Sequence, residues 1–177
     1  MGQIIRNHSV VSDPWRLLEL TADGQAPAIP LAGDVIVPLI VWRTQRDALR
    51  FRAGRIGIWL KADEDPASIA DDLPLFGAVA VELPKVADGR GYTTGRLLRE
   101  RYGYRGELRA IGDVQRDQLY FLWQCGFDAF VLRPGEDLEQ ALAAFAELTE
   151  AYQSSVVQPV PLFRRRQVFA NDGAEWP

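Results

Sequence analysis

One cysteine, Cys125, and one histidine, His8, are all that this 177-residue chain carries of two residue types on which much enzyme chemistry depends. A single cysteine forms no internal disulfide and supplies no set of thiolates for zinc or for iron and sulfur. A redox centre held by several cysteines of the chain is thereby excluded. One histidine leaves a catalytic triad a single candidate base, and no nucleophile motif surrounds it. His8 instead falls in a predicted N-terminal strand. Cys125 closes a predicted helix beside Trp123 and Phe127, the setting of a buried, inert thiol. The lysine and glycine spacing of a P-loop is missing, as is a dinucleotide-binding fingerprint, and no cofactor is predicted. The longest apolar runs, such as DVIVPLIVW from Asp34 to Trp42, fall far below the roughly 20 residues of a membrane span. The opening MGQIIRNHSVV lacks a basic segment followed by an apolar run and a small-residue cleavage site, so a cytoplasmic location is expected.

Lysine is nearly absent too, since 18 of the 20 basic residues are arginine. Arginine suits bidentate binding of carboxylate, phosphate or sulfur oxyanions, although a coding bias towards arginine and alanine explains the total equally well. Position therefore matters more than number. Residues 42–55 hold five arginines against Asp47 alone, and residues 90–116 hold seven against Glu100, Glu107 and Asp113. The acidic residues gather elsewhere, at Asp63, Glu64, Asp65, Asp71 and Asp72 and again at Glu136, Asp137, Glu139, Glu147 and Glu150. The formal net charge of -4 repels phosphate at long range. Such a surface is expected to dock an oppositely charged protein or a small anion rather than nucleic acid.

Length and a hydrophobic content of 47% fit one core. The expected organisation is a single α/β domain over residues 1–153, including an N-terminal β extension, followed by a C-terminal tail over residues 154–177. In the extension, Ile4 to Val11 and Trp15 to Leu20, separated by turn signals, predict short antiparallel strands. Beyond it, five short runs rich in valine, isoleucine or phenylalanine predict strands at Asp34–Leu39, Arg55–Leu60, Ala78–Leu83, Glu107–Ile111 and Asp128–Leu132. Helices lie between them. Asp65 before Pro66 marks one start, Thr93 or Thr94 a second and Asp113 a third, while Gly103 and Gly126 mark ends. A last helix places Leu138, Ala141, Leu142, Phe145, Leu148 and Tyr152 on one apolar stripe. Strands alternating with helices imply a mainly parallel sheet of about five strands flanked by helices, either three-layered or a partial barrel.

In such sheets ligands collect beyond the carboxyl ends of the strands. The residues expected there are Asp63 and Asp65, Asp88 to Thr94, Asp113 and Arg133. Within Asp88-Gly89-Arg90-Gly91-Tyr92-Thr93-Thr94, Gly89 and Gly91 permit close backbone approach, and Arg90 places a charge beside the free N–H groups of a helix start. Asp88, Gly89, Arg90, Gly91, Thr93 and Thr94 are thus candidates for binding an anion or partner, with Arg116 and Arg133 nearby in the topology. The plainer reading is a tight turn in which Asp88 and Arg90 pair with neighbouring charges. Asp113 and Asp117, one helical turn apart, are the candidate proton-transfer groups, against simple capping by Asp113. Asp63, Glu64, Asp65 and Asp113 form a weaker candidate set for magnesium, because Asp65 already serves as a cap. Tyr92, Tyr102 and Tyr104 suit either ligand stacking or core packing. Arg164 to Arg166 reads as a solvated run or a partner-binding tail.

The motifs IIRNHSVVSDPW, DVIVPLIVWRTQRDAL, RIGIWLKADEDP, VADGRGY, RLLRERYGYRGELRAIGDVQRDQL, CGFDAF and PLFRRR together resemble a family of bacterial proteins, domain of unknown function 934. The likeness runs from about Ile4 to Arg166. Val86 departs from it conservatively, where phenylalanine is expected. The resemblance implies an oxidoreductase label and a role in sulfite reduction, because the family's genes lie beside those for assimilatory sulfite reductase. It assigns no catalytic residues. With no flavin, nicotinamide, haem or cluster motif in the chain, the expected role is an accessory protein contacting sulfite reductase, its electron donor or a sulfur oxyanion. The alternative is a small-molecule enzyme in which Arg90 holds an anionic substrate and Asp113 or Asp117 moves a proton.

Overall fold

The computed structural model describes residues 2–85, 88–146, 154–161 and 164. Eight strands form one sheet: β1 (Gln3–Arg6), β2 (Ser9–Ser12), β3 (Trp15–Leu17), β4 (Asp34–Pro38), β5 (Ile56–Leu60), β6 (Ala78–Leu83), β7 (Glu107–Gly112) and β8 (Ala129–Phe130). Their spatial order is β2-β1-β8-β7-β6-β5-β4-β3. Strands β3 to β8 are parallel throughout, and β1 runs antiparallel to both β8 and β2. The expected count of about five is therefore corrected to eight, because the N-terminal segments complete the same sheet. The segment from Trp15 is also corrected, from antiparallel to parallel, since Trp15, Arg16 and Leu17 pair with Asp34, Val35 and Ile36.

The two edge strands of this sheet are consecutive in the chain. Only Asp13 and Pro14 separate β2 from β3, and three Cα-to-Cα steps span at most about 11 Å. Both strands run in the same direction, so one kinked segment borders β1 with its first half and β4 with its second. Such short covalent linkage is possible only if the sheet curls until its edges nearly meet.

Residue parity along the strands separates two faces. Val35, Val37, Ile58, Leu60, Val79, Val81, Leu108, Ala110 and Phe130 join the main core, together with buried apolar side chains from the helical segments, among them Trp42, Ile69, Leu98, Leu122 and Ala141. Trp15, Ile36, Ala78, Ala80 and Ile111 form a second cluster on the concave face, with Trp59 and Val131 against them. Small residues there make room for the two indoles: a Cβ on Gly57 would press on Ile36 and Ala78, and the ring of Trp15 reaches Gly77. Helices thus cover one face only, which corrects the three-layer expectation. The strand order has no reversal point of the kind that a doubly wound sheet requires.

A buried ion cluster spans the concave face. Arg109 on β7, 2% exposed, donates from Nη1 and Nη2 to Asp13, both at 2.8 Å, and from Nη2 and Nε to Glu107 at 2.7 and 2.9 Å. Burial disfavours its charge, but hydrogen bonds and attraction from the two carboxylates more than offset this and raise its pKa. Arg109 therefore ties the middle of the sheet to the Asp13 link at its edges.

Helix ends follow the expected signals in part. Asp65 accepts a hydrogen bond from the Ala67 N–H at 2.8 Å and caps Pro66–Leu75, which is a 3-10 rather than an α-helix and contains Pro74. Helix α1 (Leu39–Arg50) follows β4, and α2 (Arg90–Arg96) continues into a π-helical turn over Leu97–Arg101. The start of α2 lies at Gly89, ahead of the expected Thr93 or Thr94, while Gly103 follows its end with φ +64° as expected. Asp113 does not cap the next helix. Gln115 takes that place in a reciprocal capping box with Gln118, ahead of a 3-10 turn at Arg116–Gln118 and helix α3 (Leu119–Gln124). Helix α4 (Leu138–Leu142) is capped by Asp137 and passes into a 3-10 turn at Ala143–Phe145. The predicted stripe positions Leu148 and Tyr152, the acidic Glu147 and Glu150, Val86, and Arg165 and Arg166 lie outside the described residues. His8 sits in the β1–β2 turn rather than in a strand; Asn7 and His8 both have positive φ, the geometry of a two-residue hairpin.

Candidate functional site

The parallel strands direct their carboxyl ends to one edge, where the chain places two separate sets of side chains. The first is the mouth of the concave face. A cavity of about 420 Å³ is lined by Glu19, Leu20, Pro38, Ile40, Trp59, Lys61 and Glu64. Leu60 pairs with Val81, so Lys61 and Glu82 follow opposite each other on β5 and β6. Burial pushes the Glu82 carboxyl above its ordinary value; Lys61 opposes this, while Asp63, Glu64 and Glu19 reinforce it. The indole N–H of Trp59 has no acceptor among the described residues. Carboxylates outnumber the single lysine in this lining, which makes the mouth unfavourable for an anion.

The second set contains the candidates Asp88, Gly89, Arg90, Gly91, Thr93 and Thr94. Arg90 donates to Asp88 at 2.9 and 2.6 Å, and the Arg90 backbone N–H adds a third bond at 3.1 Å. These bonds hold the Asp88 carboxyl down to about 2. Arg90 is thus already engaged by a carboxylate. Gly91 is buried against Leu83, where a Cβ would stand 3.1 Å from a methyl group, so its role is close packing of α2 on β6. Thr94 is buried and Thr93 exposed. Gly89 and Thr93 border a groove of about 520 Å³ with Tyr92, Arg96, Phe121, Gln124, Cys125, Ser154 and Ser155. Phe121 in that groove is 58% exposed, and its ring stands 5.1 Å from that of Tyr92.

Asp113 and Arg133 come together at 3.6 Å from the ends of β7 and β8, and Arg133 also binds Glu136 at 3.1 Å. Asp113 further accepts from the Gln115 side chain at 3.3 Å. Arg116 and Asp117 are exposed in the following turn. Asp63, Glu64, Asp65 and Asp113 do not converge: among the described residues no group of three or more such side chains could hold a metal ion. Tyr104 is a core residue whose hydroxyl donates to the Phe76 carbonyl at 3.1 Å, and burial raises its pKa well above the ordinary value.

Several arginines of the basic stretches are tied down internally. Arg46 pairs with Asp72, which also accepts from Trp42 at 2.9 Å; Arg55 pairs with Asp34 at 2.6 Å; Arg96 pairs with Glu100 at 3.0 Å. Arg99 is enclosed by the carbonyls of Tyr104, Gly106 and Gly126 and by the Asp128 carboxylate. The single thiol is buried, while the imidazole is exposed in the β1–β2 turn and held there by ring contacts. Burial pushes Cys125 up to about 11 and lowers the pKa of His8, whose ring stacks on Phe145 at 4.3 Å and meets the edge of Trp123 at 5.2 Å.

Residues 57–163 match the family described as Bacterial protein of unknown function (DUF934). The chain belongs to this family. The DUF934 match includes β5 from its second residue, all of β6 to β8, the Asp88–Thr94 loop and the residues that line the groove. No curated protein and no solved structure matches the chain. Among the described residues of this DUF934 protein, no helix is long and apolar enough to cross a membrane.

The sequence reading passed over the mouth residues Glu19, Trp59, Lys61 and Glu82. One signal was present: Glu82 interrupts the apolar run Ala-Val-Ala-Val before Leu83, and a charge there faces the side of the sheet without helices.

Proposed function

We propose that this DUF934 protein is an accessory protein of assimilatory sulfite reduction, serving sulfur assimilation and cysteine biosynthesis through contact with sulfite reductase or its electron donor. Family membership supports the pathway through the gene neighbourhood that the resemblance implies. One structural observation carries the choice of contact over turnover: Arg90, the cation expected to hold a substrate anion, and Arg133, a further candidate for anion or partner binding, are paired with Asp88 and with Asp113 and Glu136 respectively. A sulfur oxyanion would have to displace carboxylates already in place. The acid-rich mouth is equally unsuited to the anionic substrate of the enzyme alternative. The buried Cys125 is poorly placed for redox work. In this reading the curled sheet is a partial barrel that acts as a rigid scaffold for contact surfaces. Growth of a deletion strain on sulfate, sulfite, sulfide or cysteine tests it. Failure on the first two with rescue by the last two is expected, and equal growth on all four would sink the proposal.

A further inference from the structure

At the amino end of the sheet, opposite the mouth and loops, stand the two most exposed large apolar side chains of the described residues, Phe51 at 90% and Leu31 at 89%. They project from two loops, one before β4 and one before β5, that are locked together. Arg52 donates to the Pro30 carbonyl at 3.0 and 3.2 Å and to the Gly33 carbonyl at 2.6 Å, and the Ala53 N–H donates to the Leu31 carbonyl at 3.3 Å. Gly54 has φ +108°, and its α-carbon lies so close to the Gly33 backbone that a Cβ would collide with it. The two apolar groups are therefore presented on a stapled platform. Such preorganisation lowers the entropy lost on binding.

Beside the platform lies a groove of about 540 Å³ lined by Trp42, Arg50, Gly54, Arg55, Pro74 and Leu75. Leu75 is 42% exposed. Arg43 and Arg50, exposed on α1, form no ion pair among the described residues, unlike Arg46 and Arg55 with their partners Asp72 and Asp34. Asp47 is the opposing exposed charge on the same helix. Exposed apolar anchors with unpaired arginines on the adjoining helix match the composition of protein-binding patches, in which buried anchors give affinity and rim charges give steering.

We infer that this end of the molecule docks a partner protein that offers an apolar socket for Phe51 and Leu31 and carboxylates facing Arg43 and Arg50. The inference rests on the reading of the chain as a contact protein and names the chemistry of the partner surface. Charge selects a protein over an extended polyanion: the net -4 of the chain repels nucleic acid or an anionic bilayer, whereas localised carboxylates within about one Debye length of 8–10 Å feel the local arginines.

The test measures binding of the full chain to purified sulfite reductase holoenzyme and, separately, to its purified electron donor, at low and physiological salt. Wild type is compared with Phe51→Ser, Leu31→Ser and the double variant Arg43→Glu with Arg50→Glu. Each apolar variant should weaken binding about tenfold or more, as expected for anchors. The charge reversal should slow association and flatten its salt dependence. Unchanged melting temperatures would verify that the variants fold. If wild type binds and all variants bind equally well, the docking surface is overturned and the contact reading stands. If wild type binds neither protein, the contact reading fails and takes the surface with it. Self-association abolished by Phe51→Ser would assign the platform to a second copy, and adsorption to phosphatidylglycerol vesicles lost in the same variants would assign it to lipid; either result overturns the inference.

Discussion

Replacing Arg109 with methionine should be among the most damaging single changes in this protein. The side chain is 2% exposed and is the hydrogen-bond donor shared by Asp13 and Glu107, whose side chains are 15% and 11% exposed. Methionine fills much of the volume but leaves two carboxylates facing each other with little water. Breaking a buried ion cluster by removing one partner costs about 3–5 kcal/mol. At about 3 °C per kcal/mol for a domain of this size, the melting temperature should fall by about 12 °C. Glu107 keeps a 3.4 Å contact with the half-buried Arg6, so the greater part of the loss should trace to Asp13. Adding Asp13→Asn to Arg109→Met removes the stranded charge and should recover part of the loss, while the capping bond from the Trp15 N–H to the Asp13 side chain can persist. Differential scanning calorimetry at pH 7 on the single and double variants gives the answer. A fall below about 3 °C for Arg109→Met, or no recovery in the double variant, would refute the idea that this cluster holds the curled sheet to its own edge.

Glu82 and Cys125 give two further expectations. Burial raises the folded-state pKa of Glu82, so its ionisation opposes folding above the carboxyl range, and the penalty disappears as the pH falls and the group protonates. Glu82→Gln should therefore raise the melting temperature at pH 8 and leave it unchanged at pH 4; a stabilisation of equal size at both pH values would contradict that assignment. Cys125, buried and pushed up to about 11, should react with a thiol reagent at pH 8 only as fast as the protein unfolds. Rapid labelling in native buffer, followed by mass spectrometry, would show the thiol to be accessible.

How far the sequence reveals this architecture depends on the range of the interactions involved. Strand β6 falls on Ala78–Leu83 as its alternating valines predict, and β4, β5 and β7 differ from expectation by one residue at an end, because these strands read out local apolar runs. Strand β8 shrinks to Ala129–Phe130, since β1 and β7 pair with it over only two residues each. The curl was hidden because it arises from pairings between residues far apart in the chain, such as Ile5 with Phe130, and from a two-residue link that looks like an ordinary turn. Helix starts erred where side chains compete for the same task. Asp113 has the composition of a cap, but its backbone N–H continues the sheet by bonding the Leu83 carbonyl at 2.8 Å, and Gln115 takes the cap with Gln118. At the candidate site, Asp88 and Arg90 were legible as a pair two residues apart. The mouth was not, because Lys61 and Glu82 meet only through the register of β5 on β6, and Glu19 reaches them from a segment about forty residues earlier in the chain.

The most direct test of a role in sulfite reduction compares growth of the deletion strain on sulfite with growth on sulfide as the sole sulfur source, each with and without a plasmid copy of the protein. The account predicts no growth on sulfite, normal growth on sulfide and full rescue on sulfite by the wild-type copy. Unimpaired growth on sulfite without the protein would contradict it.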